Sequence, residues 1–111
     1  MTELETLVEA AVNQGLVEAQ RKTQAFLAQH GDRDACGFAW VTVYEKGSTK
    51  LGRALKKFGF SKSYTGGLQL WNPSKSGTQS ISALEAGADA FVVVMRNTFP
   101  DMKVYSGSRM D

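Results

Sequence analysis

Across residues 46–84 the chain places Lys46, Lys50, Arg53, Lys56, Lys57, Lys62 and Lys75 and not one Asp or Glu. The flanks are net acidic: positions 1–45 hold three Lys or Arg against seven Asp or Glu, and positions 85–111 hold three against four. The formal charge of +2 therefore hides a polarised molecule whose basic sector attracts anions. Inside that sector Tyr64 and Trp71 offer ring faces for stacking, and Ser61 and Ser63 offer hydroxyl donors. Gly66 and Gly67 let a ligand approach the backbone, because no Cβ stands in the way. Lys50, Arg53 and Lys57 fall at i, i+3 and i+7, which sets three cations along one ridge of a helix. This chemistry suits recognition of a ligand that carries both phosphate and a ring. The expected ligand-binding set is Lys50, Arg53, Lys57, Lys62, Tyr64, Gly66, Gly67, Trp71 and Arg109.

Covalent chemistry has little to work with. Cys36 and His30 are the only cysteine and histidine, so no intrachain disulfide forms and a closed zinc site, which needs four such ligands, is excluded. Cys36 sits in an apolar strand pattern, a poor setting for a thiolate, and reads as a small core residue. No acid or nucleophile is grouped with His30, which reads as a cation at a helix end. Ser74-Lys75-Ser76-Gly77-Thr78 has the composition of a phosphate-binding loop but lacks the Gly-x-x-x-x-Gly-Lys frame. It reads as an ordinary loop before a helix. No catalytic residue, metal ligand or cofactor is expected, and the protein is read as non-enzymatic.

Period and punctuation supply the elements that position these groups. Thr2-Glu3-Leu4-Glu5 has the form of a capping box, and Leu4, Leu7, Val8, Ala11, Leu16, Ala19, Thr23, Phe26 and Leu27 then recur at helical spacing, with Gly15 as a point of bending. A helix over 1–30 is long for so small a domain. It either wraps its own core or serves as an oligomerisation arm. Residues 36–44 alternate as a strand with Cys36, Phe38, Trp40, Thr42 and Tyr44 on one face and Gly37, Ala39, Val41 and Val43 on the other, both apolar enough for a central position. A short basic helix follows over 49–58, then a strand over 68–71 whose preceding Gly66-Gly67 pair suggests a bulge. Ser82-Ala83-Leu84-Glu85 reads as a second capping box, opening a well-buried helix to about Asn97. A third strand is expected over 101–105, with the tail folded back so that Arg109 nears the basic site.

The expected architecture is one α+β domain over 1–111: the helix 1–30 and a core over 36–111, in the order α-β-α-β-α-β. Its small three-stranded sheet carries helices packed mainly on one face. Three strands leave a face or an edge open, which points to a homodimer or higher homo-oligomer. No apolar run approaches the ~20 residues of a membrane span, and the N-terminus is acidic where a signal peptide would be basic. A cytoplasmic protein without membrane contact is expected.

Cys36-Gly37-Phe38-Ala39-Trp40-Val41, then Tyr64-x-Gly66-Gly67 followed by Trp71, and finally Tyr105-x-x-Ser108-Arg109-Met110-Asp111 together resemble a family of small uncharacterised proteins encoded by tailed bacteriophages and related mobile elements. The resemblance covers roughly residues 36–111 and supplies no catalytic residues. It implies a viral protein in a host cytoplasm, where a small binder would blunt host defence. Two functions stand beside each other. In the first, the basic and aromatic surface binds nucleic acid or sequesters a nucleotide-like anion; in the second, the same face docks on a host defence protein and inhibits it. A small enzyme built on Cys36 and His30 ranks behind both.

Overall fold

A computed structural model describes the whole chain, Met1–Asp111. Helix α1 spans Glu3–His30. Both halves of its capping box are made: the Thr2 hydroxyl accepts from the Glu5 amide at 3.1 Å, and the Glu5 carboxylate accepts from the Thr2 amide at 3.1 Å. Gly31 ends the helix at φ 74°, its amide donating to the Leu27 carbonyl, a left-handed stop that glycine adopts freely.

Gly15 does not interrupt α1. It provides room, since a Cβ there would stand 2.6 Å from the Phe91 ring. Phe91 belongs to helix α3, Ile81–Thr98, and α1 lies along α3 through a stripe of mostly small residues, Val8, Ala11, Val12, Gly15, Ala19 and Thr23, all buried. Thr23 fixes the register by donating from Oγ1 to the Ala83 carbonyl at 2.7 Å. The apolar stripe of α1, its first half included, is thus used within the chain, while Leu7 and Val17 on its outer side are exposed.

The sheet has four strands, not three. They are β1 (Gly37–Val43), β2 (Ser61–Lys62), β3 (Leu68–Trp71) and β4 (Val104–Met110), in the order β2-β3-β1-β4 with every neighbouring pair antiparallel. With helix α2 (Lys50–Lys57) the chain order becomes α-β-α-β-β-α-β. The added strand, β2, pairs only Ser61 with Gln69 and Lys62 with Leu68, too short a run for alternation to reveal. Gly66 and Gly67, with φ of 101° and 74°, form the turn of the β2–β3 hairpin and not a bulge. Ser63 and Gly66 close that turn through bonds from the Ser63 amide to the Gly67 carbonyl and from the Gly66 amide to the Ser63 carbonyl. A Cβ on Gly67 would stand 2.6 Å from the Val43 carbonyl oxygen.

The C-terminal end differs as well. Residues 106–110 are no folded-back tail but most of β4, paired residue for residue with β1 from Val43↔Val104 to Gly37↔Met110. Ser106 and Ser108, which read as tail residues in sequence, tie this strand to α3 by donating to the Asp89 and Glu85 carboxylates, each at 2.5 Å. Glu85 is therefore not a capping-box residue. The N-cap of α3 is Ser80, whose hydroxyl accepts from the Ala83 amide at 3.2 Å. The acidic partner at this helix start is Asp34, which accepts from the Ser80 hydroxyl and, at 2.9 Å, from the Ser82 amide.

Behind α1, the order β-α-β-β-α-β with β1 next to the middle of the sheet is the split βαβ, or ferredoxin-like, arrangement. It puts the helices on one side: α3 packs against β1 and β4, α2 against β3, and α1 over α3 and α2. Ala39, Val41 and Val43 of β1, Leu68 and Leu70 of β3 and Val104 of β4 meet Leu55, Leu84, Phe91, Val92 and Met95 in one core. The opposite sheet face has no helix over it. No helix is long and apolar enough to cross a membrane.

Candidate functional site

Directly paired residues in an antiparallel sheet share a face. The register Trp40↔Trp71, Trp40↔Gly107, Phe38↔Arg109, Thr42↔Gln69 and Thr42↔Tyr105 therefore gathers these side chains on the face away from the helices. The Trp40 and Trp71 rings are stacked, 5° from parallel with centroids 5.4 Å apart, and Phe38 lies 5.6 Å from Trp71. The Arg109 guanidinium carbon stands 5.8 Å from the Phe38 centroid, within cation–π range. Gly107 lets the Trp40 indole lie against the sheet, because a Cβ there would meet its Nε1 at 2.6 Å.

These contacts hold the rings while leaving one of them open to solvent. Trp71 is 47% exposed and Tyr64, on the hairpin turn, is fully exposed. Trp40, Tyr64, Gln69, Trp71 and Arg109 line a shallow depression of about 210 Å³. An offset aromatic pair contributes ~0.5–1.5 kcal/mol beyond its buried area, so the platform is ordered before any ligand arrives. None of the four strands contains an Asp or Glu.

Of the residues singled out from sequence, Tyr64, Trp71 and Arg109 come together here. Gly66 and Gly67 lie in the adjoining turn, where Gly66 donates its amide to Ser63 and shapes the hairpin. The remaining cations lie elsewhere. Lys50, Arg53 and Lys57 on α2 line a separate cleft of about 490 Å³ with Thr2, Glu3 and Glu5 of the α1 start. Lys57 is paired with Glu5 at 2.7 Å, and Arg53 donates to the Ser48 carbonyl at 2.7 Å. Lys62 shares its face with Leu68, on the helix side of the sheet edge. One expected surface is thus two, on opposite sides of the sheet.

Phe38, Trp40 and Gln69 complete the platform and were not singled out from sequence. The signal for the first two lay in β1, where large rings alternate with Ala39, Val41 and Val43. The loop over 72–80 is self-satisfied: the amides of Ser76, Thr78 and Ser80 each donate to the hydroxyl two residues earlier. A phosphate would find those amides occupied. Cys36 is exposed at the head of β1, its Sγ 3.4 Å from Gln79 Oε1, not a core residue as expected. A single β-bridge to Ser80 and a bond from the Asp111 amide to its carbonyl tie its backbone down. His30 packs on Phe26 within α1, ring centroids 4.6 Å apart.

Two carboxyls are held near pKa 2: Glu5, by the Lys57 ammonium and the Thr2 amide and hydroxyl, and Asp34, by the Ser80 hydroxyl and Ser82. Their ordinary values are 4.5 and 3.8, so at intermediate acidity the unfolded chain binds protons that the folded chain does not. Their contribution to stability is complete above about pH 4.5 and disappears as pH falls through about 2, by linkage. Melting temperature followed against pH should drop across that window, and Asp34→Asn should flatten the drop. An unchanged slope in the variant would remove Asp34 from this role.

No protein-family model, characterised protein or solved structure matches the chain. The functional reading rests on the site itself, since a sheet topology hosts many activities.

Proposed function

We propose that the protein is a non-enzymatic binder of single-stranded nucleic acid, with bases stacked on Trp71 and Tyr64 and phosphates met by Arg109. The observation that carries this is the half-exposed Trp71 ring, backed by Trp40 and flanked by Arg109, in a depression whose lining holds no carboxylate. Four-stranded sheets with aromatics on their central strands are one way proteins stack unpaired bases. Base stacking tolerates any sequence, because every base has a π-face. A duplex hides those faces, and its dense phosphate charge calls for more cations than the platform holds. The sequence motifs that resemble phage-encoded proteins fit such a binder acting in a host cytoplasm.

Tryptophan emission provides the test, titrated with short oligouridine, oligodeoxythymidine, the matching duplex and a mononucleotide. Single strands should quench it saturably and with a shallow salt slope, reflecting few phosphate contacts, while the duplex should not. Tight, salt-tolerant binding of the mononucleotide alone would replace the proposal with nucleotide sequestration, and no quenching by any of them would end it. Arg109→Ala should weaken oligonucleotide binding by roughly 1 kcal/mol, the range of an exposed and screened charge. Lys50→Ala and Arg53→Ala, on the far side of the sheet, should leave affinity within about twofold on the same Coulomb grounds. A larger loss from the α2 variants would relocate the site to their cleft.

A further inference from the structure

A second ring pair lies on the same sheet face. Tyr44 and Tyr105 stand 5.9 Å apart between centroids, each about half exposed. Arg96 reaches from α3 to the edge of β4, where it donates to the Val104 carbonyl at 2.8 Å and holds its guanidinium carbon 5.3 Å from the Tyr105 centroid. This repeats the composition of the first platform, rings with an arginine against them. Between the two lie Thr42 and Gln69, a hydroxyl and an amide, while Gly107 is covered by the Trp40 indole.

The spacing has a chemical reading. Trp71 on β3 and Tyr105 on β4 lie either side of β1, two strand spacings apart across the sheet (~10 Å) and two residues apart along it (~7 Å), ~12 Å in all. A stacked strand rises ~3.4 Å per nucleotide, so the span is about three to four steps, covered by about four to five nucleotides. The cations sit at the two ends of this span, Arg109 against Phe38 and Arg96 against Tyr105. Positive charge at both ends of the span complements a polyanion better than a single compact anion, and Asp89, the carboxylate beside Arg96, accepts from the Ser106 hydroxyl.

We infer that the open sheet face is a track for a single strand of about four to five nucleotides. One end base stacks on the Trp71–Trp40 platform and the other on the Tyr105–Tyr44 platform, with Arg109 and Arg96 meeting the phosphates at either end. This rests on the single-strand reading above and adds length as the selecting property. A mononucleotide fills one platform and leaves the other empty.

The experiment measures affinity across a series of homo-oligonucleotides from one to about six nucleotides, a range that brackets the span, for the native protein, Tyr105→Ala and Tyr105→Phe. Affinity should climb to about four or five nucleotides and then level. Tyr105→Ala should weaken binding of a strand of about five nucleotides at least ~5-fold, the loss of one stacked base, and leave the dinucleotide within ~2-fold. Tyr105→Phe keeps the ring and should restore native affinity; Tyr105 makes no hydrogen bond through its hydroxyl and is half exposed, so both variants should fold. Affinity that is flat beyond the dinucleotide, or a Tyr105→Ala loss that is the same at every length, overturns the track and leaves binding at Trp71 standing. Failure of every oligonucleotide to quench tryptophan emission overturns both.

Discussion

Trp71→Ala should lower affinity for a single-stranded oligonucleotide by ~5- to 150-fold, which corresponds to the ~1–3 kcal/mol that a stacked base contributes. The ring is the one member of the Trp40–Trp71–Phe38 group that stands nearly half in solvent, so its removal takes away the stacking surface and leaves its inward neighbour, Leu70, in the core. Melting temperature should fall only modestly, since the lost ring–ring contact is worth ~0.5–1.5 kcal/mol. Trp71→Phe should recover part of the affinity. Anisotropy of a labelled oligonucleotide, read beside a thermal melt, separates the two effects. A variant that melts early but binds as the native protein does would make Trp71 a structural residue and move the binding face elsewhere.

Gly87→Ala should destabilise the fold by about 2–4 kcal/mol, combining overpacking with a disturbed buried hydrogen bond. A Cβ at Gly87 would stand 2.4 Å from Thr23 Oγ1 and 3.0 Å from the Ala19 carbonyl oxygen. The second of these atoms is helix backbone and does not swing aside, so α1 has to lift from α3. The first donates to Ala83 at 2.7 Å, and displacing it strands that hydroxyl in a buried interface. In an isolated helix the same change would be favourable, because alanine is the better helix former. Chemical denaturation gives the sign directly: a stabilised variant would mean that α1 and α3 are not held as closely as their small residues imply.

Sequence made β1 legible because its two faces differ in kind, Phe38 and Trp40 against Ala39 and Val41. The same alternation implied a central strand, and β1 does lie between β3 and β4. What it could not convey is that only one of those apolar faces is covered. Strand β2 was illegible because two residues have no period. The start of α3 was misplaced because Ser82 and Glu85 satisfy a local capping pattern, while the group that acts there, Asp34, is 48 positions away from Ser82 and reaches it only after folding. The basic sector shows the same limit. Spacing along α2 correctly set Lys50, Arg53 and Lys57 on one ridge, but Glu5, which pairs with Lys57 across 52 positions, is invisible to any local pattern. Tyr64, Trp71 and Arg109 could be picked out because ring and charge chemistry is a property of the residue, whereas their grouping with Phe38 and Trp40 is a property of strand register.

The seating of α1 on α3 has a kinetic side. Val8, Val12 and Ala19 find their cover only in residues that follow some seventy positions later, and β1 waits equally long for β4. A polypeptide emerging from the ribosome therefore carries an uncovered oily stripe until nearly all of it has been made. Contacts so distant along the chain slow folding, and the waiting stripe is an aggregation hazard in the interval. The charged outer side of α1, with Glu18 and Arg21 bridged across one turn, opposes that association, since charged surface favours the solvated state.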